Sequence, residues 1–294
     1  NLVINHVGKD KIMDHINKFN DYFKNKIKKI RLDKHEYSKL AKNCYKIVSS
    51  PMHTHDLPGR LLISKQFRKL KCKVFFSADG CDELLGGQQI YHKIFNKSFD
   101  YKVNQSPYSS LNKISGIKPS ENIQNFLNKN WKLGFNKYGF IKFKKERNIQ
   151  NSLFLDYFIQ SIAVGNRSND LISCNSSVEP RNIYISKNIL KFLVNLPLKY
   201  KINFREKNVN LRQKFILKKF FIKYFSKKLI FGKEGFSGFP NDTIKKIDYE
   251  VINKSLKLKK EILNFNNYDF KDNKNFKRDI EWKLKNIQNF LKLT

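Results

Sequence analysis

The stretch "VFFSADGCDELLGGQQIY", residues 74–91, places three glycines and three acids within nine residues of a chain that has only 12 glycines in 294 residues. The apolar residues 72–77 predict a strand, and Gly80 then allows a tight turn with positive φ. Gly86 and Gly87 are expected to end a short helix and to let the backbone approach a neighbour closely. The pattern predicts a strand–turn–helix unit that presents acids and backbone amides at one place.

The residues around this unit alternate between strand and helix patterns. Apolar periodicity predicts strands at residues 2–7, 27–32 and 72–77, and helices at residues 10–25, 36–48 and 57–70. Strands that alternate with helices pair in parallel and form an α/β sheet covered on both faces. Ligands of such sheets bind beyond the carboxyl ends of the strands, which is where the acids follow strand 72–77.

Three parts of the chain differ in pattern. Residues 1–97 predict the α/β sheet, and residues 98–150 carry turn signals that predict an irregular insertion with one short helix. Residues 151–294 show mainly helical periodicity. No linker separates these parts, so we expect one domain.

Composition limits the class of partner. The chain has 59 basic and 25 acidic residues, but only nine of the basic residues are Arg, which bidentate nucleic-acid recognition favours. The lysines are spread along the whole chain, as biased base composition would produce, so no specific nucleic acid is expected.

No apolar run reaches the roughly 20 residues that span a bilayer, so no membrane partner is expected either. The four cysteines show no Cys-x-x-Cys spacing, which favours a reducing cytoplasm.

The acids and glycines of residues 77–87, the signature segment, have two interpretations. Backbone amides at a helix start favour an anion, and adjacent carboxylates could hold Mg²⁺ against phosphates. Alternatively, the acids only cap the helix. Spacing alone leaves both open.

The signature segment resembles the S-G-[DE]-G-x-D-E-x-x-G-G motif in the synthetase domain of glutamine-dependent asparagine synthetases. Four further stretches resemble that family in the same order: "SSPMHTHDLPGRLLIS" (49–64), "DLISCNSSVEPRNIYIS" (170–186), "LVNLPLKYKI" (193–202) and "KKLIFGKEGFSGFP" (227–240). The resemblance implies a parallel sheet of the PP-loop ATP pyrophosphatase type, with ATP and Mg²⁺ as cofactors. It implies adenylation of a carboxylate, aspartate in that family, followed by attack of ammonia to give an amide, AMP and pyrophosphate.

The resemblance also implies roles for individual residues. Asp79 would accept a proton from the attacking ammonia, Lys233 would neutralise charge on the departing pyrophosphate, and Asp82 would be a Mg²⁺ ligand. Asp170, Glu179 and Arg181 would be buried polar anchors near the site, with a purely structural Glu179–Arg181 ion pair as the alternative. The residues expected to contact the nucleotide or to shape its site are Ser77, Ala78, Gly80, Glu83, Gly86, Gly87, Asp170 and Arg181.

Several positions depart from the family pattern. Ala78 replaces a Gly, Gln88 replaces a Tyr, Phe231 replaces an Arg, and "RNIYIS" (181–186) lacks the usual Pro and the terminal acid. These changes keep open another acceptor, such as a sugar acid, a peptide or a β-amino acid. They also keep open a degenerate, non-catalytic module that binds anions.

The family's S-G-G-x-D-S phosphate loop and its cysteine-initiated glutaminase domain have no counterpart in the chain. Because the chain starts with Asn in what should be the second strand of the sheet, we expect it to be truncated at its amino end. Ammonia would then come from a glutaminase domain encoded upstream. The assembly state stays open, with a homodimer as one option.

Other candidate residues favour plainer interpretations. Cys44 lies on a predicted helical face and is expected in the core, and Cys81 is expected to be a packing residue. His53 and His55 have alternating spacing that could bind a metal, but without a third ligand nearby a loop is favoured.

Overall fold

The structure, a computed structural model, describes residues 3–6, 10–24, 28–52, 54–88, 91, 147–231, 282 and 285–293. It divides into two compact units that interleave along the chain. The first unit contains Asn1–Phe75, Ser168–Pro180 and Gly235–Thr294, and the second contains Phe76–Arg167 and Arg181–Glu234. Neither unit is a continuous stretch of sequence.

The first unit opens with a strand–helix–strand motif. Strand β1 (Val3–His6) leads into helix α1 (Asp10–Phe23), which returns the chain to strand β2 (Lys28–Arg31). The two strands pair in parallel, with Val3 opposite Lys28 and His6 opposite Arg31. The predicted parallel α/β beginning of the chain is therefore confirmed.

Two further helices complete this part of the first unit. Helix α2 (Lys34–Val48) begins where the Asp33 side chain accepts a hydrogen bond of 2.8 Å from Glu36 N–H, and it ends at Ser49 with a left-handed backbone. Helix α3 (Leu57–Lys69) carries Pro58 in its first turn, where the missing N–H costs nothing. Both helices were predicted, and both are confirmed.

The core of the first unit lies between α2, α3 and residues near the carboxyl end of the chain. Residues 285–291 are helical, and the Asn286 side chain donates to Met52 O over 2.6 Å and accepts from Met52 N–H over 3.2 Å. The buried residues of this core are Leu32, Tyr37, Leu40, Ala41, Cys44, Tyr45, Val48, Met52, Leu57, Leu61, Leu62, Ile172 and Trp282. Cys44 is fully buried, as predicted.

The described part of the second unit is mainly helical. Its elements are α4 (Cys81–Leu85), α5 (Arg147–Asp156), a π-helix (Tyr157–Asn166), α7 (Lys187–Asn195), α8 (Leu198–Lys201), α9 (Val209–Arg212) and α10 (Phe215–Tyr224). Helix α6 (Arg167–Asn175) follows the π-helix directly and lies almost entirely in the first unit. The larger apolar cluster of the second unit consists of Cys81, Leu84, Leu85, Phe154, Tyr157, Leu190, Leu193, Val194 and Leu196.

A second two-stranded sheet pairs β3 (Val74–Ser77) with β4 (Glu179–Asn182). The sequence predicted β3 as a third strand beside β1 and β2, but among the described strands its partner is β4. Strand β4 reads Glu-Pro-Arg-Asn, which has no apolar alternation and contains a proline, so no sequence pattern predicted it.

Some expectations concern residues outside the described ranges. The expected insertion, residues 98–150, lies outside them except for residues 147–150, which form the start of α5. The helix expected near residues 120–132 also lies outside. Among the helices in the described part of the chain, none combines the length and the apolar character needed to cross a bilayer.

Candidate functional site

The signature segment begins with a hydrogen-bonded turn. Ser77, the last residue of β3, donates its hydroxyl to Asp79 Oδ2 over 2.6 Å, and the Asp79 N–H donates to Ser77 Oγ over 3.3 Å. Both side chains are half-buried, whereas Ala78 between them is exposed. A short bond from a hydroxyl to a carboxylate fixes the orientation of the carboxylate. Asp79 is therefore held in one position at the carboxyl end of β3.

Gly80 is required at the next position for two reasons. Its backbone is left-handed, with φ 90°, and it immediately precedes α4. A Cβ at this position would lie 2.8 Å from Cε2 of Tyr157. The Tyr157 ring is buried, and its hydroxyl donates to Tyr184 O over 2.9 Å, so the ring has little room to move away.

The Asn182 side chain ties the turn to two other segments. Its Nδ2 donates to Asp79 O over 2.8 Å and to Asn166 Oδ1 over 2.6 Å, while its Oδ1 accepts from Tyr184 N–H over 2.9 Å. Asn166 is the last residue of the π-helix. The backbone that carries Asp79 is thus fixed by the end of β4 and by the end of the π-helix.

Glu83 is a buried carboxyl within the signature segment. Its Oε2 accepts a hydrogen bond of 2.9 Å from the Ser161 hydroxyl, in the middle of the π-helix. Burial raises the pKa of Glu83 above its usual value, although hydrogen bonds from its own backbone amide and from Ser161 oppose the shift. Burial therefore penalises the charged form of Glu83, while its contact with a nucleotide stays a prediction.

We expect Glu83→Gln to stabilise the folded chain at pH 8. Because the pKa of Glu83 is raised by folding, its contribution to stability is present at low pH and is lost as pH rises through the raised pKa. Glutamine resembles the protonated carboxyl and keeps an acceptor for Ser161. The melting temperature should rise by about 2–4 °C, equivalent to about 1 kcal/mol in a large domain.

The measurement is thermal unfolding at pH 8 and pH 5, followed by circular dichroism. The gain should be smaller at pH 5, where part of the wild-type population is already protonated. Glu36→Gln removes the same charge from a more exposed position and serves as the control. A fall in melting temperature at pH 8, or an equal gain at both pH values, would contradict the role assigned to burial.

Asp82, the predicted metal ligand, forms an ion pair. Its Oδ1 lies 2.5 Å from Nζ of Lys214, and both side chains are less than one third exposed. Burial alone would lower the pKa of Lys214, but its interactions with the acidic groups Cys81, Asp82 and Glu83 raise that pKa above its usual value. Lys214 therefore remains protonated at neutral pH and supplies a positive charge to the signature segment.

The two consecutive glycines serve internal packing. Gly86 has φ 68° immediately after α4, and a Cβ there would collide with Cγ1 and Cδ1 of Ile202. A Cβ on Gly87 would collide with the Asp82 carboxylate and would lie 2.5 Å from Cε of Lys214. The expectation that these glycines end the helix and allow a close approach is confirmed, while their contact with a nucleotide stays a prediction.

The expected burial of three predicted residues is wrong. Asp170, Glu179 and Arg181 are all exposed. Glu179 and Arg181 occupy alternate positions of β4, so both side chains lie on the exposed face while Pro180 and Asn182 lie on the other. Asp170 accepts a hydrogen bond of 3.6 Å from the Cys174 thiol and belongs to the first unit. Contact of Asp170 and Arg181 with a nucleotide stays a prediction.

Sequence reasoning missed the residues that surround the signature segment. These are Tyr157, Ser161, Asn166, Asn182, Tyr184 and Lys214. A ten-residue π-helix is rare and often lies at a functional site, but it has no sequence pattern of its own. Only the spacing of Tyr157 and Ser161, which suggests one helical face, could have indicated that these side chains act together.

The remaining candidate residues are Lys233, His53, His55 and Cys81. Lys233 and His53 lie outside the described residues, and the His55 ring packs edge-on against Trp282 at 5.8 Å. Cys81 is buried against apolar neighbours, as expected for a packing residue. The described part of the chain contains no group of three or more side chains that could hold a metal ion.

A model of the asparagine synthase family matches residues 13–270, which is most of the chain. The chain belongs to this family. The resemblance carried by the signature segment is thereby confirmed, and the match supports an ATP-dependent, amide-forming synthetase activity. Searches of curated proteins and of solved structures found no significant match.

Asparagine synthase family members use ATP, generally with Mg²⁺. At the end of β3, half-buried Ser77 and Asp79 and exposed Ala78 are accessible to a ligand, which fits a nucleotide. The donor set for Mg²⁺ fits less well, because Oδ1 of Asp82 already contacts the Lys214 ammonium. While the Lys214 ammonium lies against Oδ1, a cation already takes the place that Mg²⁺ would take on that oxygen, so these residues do not fit Mg²⁺ at Asp82 in this arrangement.

Proposed function

We propose that the chain is the synthetase part of an amidotransferase that activates a carboxylate with ATP and transfers it to ammonia, with aspartate as the first candidate acceptor. The observation that carries this proposal is the Asp79 carboxylate, held by Ser77 at the carboxyl end of β3 in a chain of the asparagine synthase family. Ligands of α/β folds bind at this end of the strands. A half-buried, oriented carboxylate at that place is suited to accept a proton.

The proposed roles follow from the chemistry of each group. ATP, when bound, supplies the AMP group that activates the acceptor carboxylate. Asp79 then accepts a proton at its carboxylate as ammonia attacks, and the Ser77 hydroxyl keeps that carboxylate oriented. Lys233, by its match to the family motif, neutralises charge on the departing pyrophosphate. No step is assigned to Mg²⁺, because Lys214 occupies Oδ1 of Asp82.

Further parts of the proposal concern the setting of the reaction. Ammonia comes from the hydrolysis of glutamine by a glutaminase domain. The reaction takes place in the reducing cytoplasm, since all four cysteines are free thiols. No nucleic acid and no membrane takes part in it.

Carboxylate-dependent release of pyrophosphate tests this proposal. The protein expressed from its full reading frame is incubated with ATP, ammonium or glutamine, and one carboxylate at a time. The panel contains aspartate, a sugar acid and a peptide with a free terminal carboxyl group. We expect release above the carboxylate-free rate with aspartate, and asparagine among the products. No carboxylate-dependent release with any member of the panel would sink the proposal.

A second candidate keeps the adenylation and changes the acceptor. The observation that favours it is the departure from the family pattern beside Asp79, where exposed Ala78 adds a methyl group at the surface open to a ligand. The same panel separates the two candidates, because release with a sugar acid or a peptide but not with aspartate would identify this one.

A third candidate is a non-catalytic module that binds anions through the basic surface. The Lys214–Asp82 contact favours it, because Lys214 occupies an oxygen of the predicted metal ligand. It predicts salt-sensitive binding to polyanions. That binding would be unchanged by Asp82→Asn or Lys233→Ala.

A further inference from the structure

A cavity in the first unit lies between helix α2 and the carboxyl-terminal helix, residues 285–291. Its volume is about 350 Å³, which is within the range of small-molecule sites. The described residues that line it all belong to the first unit, and none of them has a role in the proposed reaction. The cavity is therefore a candidate for a binding site other than that of the signature segment.

The inner part of the cavity is aromatic and apolar. Four buried side chains line it, namely Tyr37, Tyr45, Met52 and Trp282. Aromatic rings pack well against another ring, and the polarisable sulfur of a methionine also makes favourable contacts with one. The lining therefore suits a ligand whose body is flat and aromatic.

Hydrogen bonds and ring contacts hold these side chains in place. The Tyr37 hydroxyl donates to His55 O over 3.1 Å and accepts from the indole N–H of Trp282. The His55 ring packs edge-on against Trp282, and the Asn286 side chain bonds to both backbone groups of Met52. The cavity is thus preformed, which lowers the entropic cost of filling it.

The outer part of the cavity is basic. Lys42 of α2 lines it on one side, and Lys285 and Lys292 line it on the other. Lys42 and Lys292 are exposed, whereas Lys285 is half-buried and donates to Gln288 Oε1 over 2.7 Å. Among the described residues that line the cavity, none is acidic. A cleft lined by charge of one sign attracts a ligand of the opposite sign.

We propose that this cavity binds a small anion with an aromatic body. The ring lies against Tyr45 and Trp282, and the acidic group lies at the opening beside the lysines. Such a ligand contacts both α2 and the carboxyl-terminal helix, so its binding stabilises the first unit. The inference does not depend on the proposed function, because it concerns other residues.

Anilinonaphthalene sulfonate is the probe, since it joins a flat aromatic body to one sulfonate and fluoresces strongly in apolar surroundings. Titration of the full chain should show saturable binding at one site. Trp131→Phe leaves Trp282 as the only tryptophan of the sequence, and the probe should quench its emission. The probe should also raise the melting temperature, because a ligand of the folded state stabilises that state. Binding without saturation, or a fall in melting temperature, would overturn the inference.

The role of the lysines is tested by the double variant Lys42→Met with Lys292→Met. We expect it to weaken binding of the probe by about 3- to 20-fold, as the loss of two exposed charge contacts implies. Lys39→Met with Lys46→Met is the matched control, because it removes the same charge from exposed positions of α2 outside the lining. An equal loss in the two double variants would show a general effect of charge and would contradict the proposed site.

Phenylnaphthylamine, which has the same aromatic body without the sulfonate, separates the two parts of the cavity. Its affinity should be the same in the wild type and in Lys42→Met with Lys292→Met. A loss equal to that of the charged probe would show that the lysines do not contact the acidic group, and this would overturn the inference.

A third variant fills the cavity. Ala41 is buried and lines it, so Ala41→Leu should weaken binding of both probes by about 10-fold or more, since overpacking costs about 1–3 kcal/mol. Circular dichroism confirms that each variant is folded, and the lysine variants decide the matter if Ala41→Leu is not. Unchanged binding in a folded Ala41→Leu would place the probe elsewhere and overturn the inference. The assay contains no ATP, so its outcome is independent of the pyrophosphate assay.

Discussion

Asp79→Asn is expected to lower the rate of amide formation by about 10²- to 10⁴-fold, the usual range for removing a general base. Asparagine has nearly the same shape as aspartate and keeps an oxygen that can accept the Ser77 hydroxyl, which now donates over 2.6 Å. It cannot accept a proton from ammonia. The turn after β3 should therefore stay intact while the second half of the reaction slows.

The two halves of the reaction can be measured separately. Exchange of labelled pyrophosphate into ATP reports on activation of the carboxylate, and amide formation reports on the attack of ammonia. We expect the exchange to persist in Asp79→Asn while the value of kcat for amide formation falls. Asp14→Asn, at an exposed position of α1, is the control. An equal loss in both assays would show that Asp79 binds substrate instead of accepting the proton.

Gly86→Ala should destabilise the chain by about 2–5 kcal/mol. The backbone at this position has φ 68°, which costs about 1–2 kcal/mol for a residue with a Cβ. The added methyl would also collide with the side chain of Ile202, which is fully buried, and overpacking of this kind costs about 1–3 kcal/mol. Chemical denaturation of the wild type and the variant measures the difference.

A second substitution separates the two costs. Ile202→Ala removes the atoms with which the new Cβ collides, so the double variant should lose less stability than the two single variants together, by about 1–3 kcal/mol. The backbone cost should remain. Ile185→Ala, at an exposed isoleucine, combined with Gly86→Ala should show no such gain. Additive losses in the Ile202 pair would show that the collision is relieved in another way.

The sequence was sufficient where local patterns decide the structure. The alternation of apolar and polar residues located β1, α1, β2, α2 and α3 within a few residues of their ends. For α2 and α3 the reason is that each helix buries one face in the core of the first unit. The turn and the close approach at Gly86 and Gly87 were also predictable from local sequence. A glycine pair directly after a short helix is typical of a left-handed turn and of a backbone that lies close to a neighbouring side chain.

The parts that the sequence did not reveal depend on residues far apart in the chain. Lys214 reaches Asp82 because its backbone is held at the end of α4, and no pattern around either residue indicates this pairing. Asn182 contacts the turn only because β4 pairs with β3. Glu179 and Arg181 are exposed because successive side chains of β4 point to opposite faces. The composition of β4 does not indicate a strand, so this alternation could not be predicted.

The interleaving of the two units has a consequence for the synthesis of the protein on the ribosome. Every described residue of the second unit belongs to residues 76–231, so all of them leave the ribosome before Trp282 and Asn286 are made. The first unit begins at the other end of the chain, yet its core includes Trp282, and Met52 is held by Asn286. The unit whose synthesis begins first therefore completes its core last. Helices α2 and α3 can complete this core only after residues 282–291 have been made. The signature segment can already fold by then.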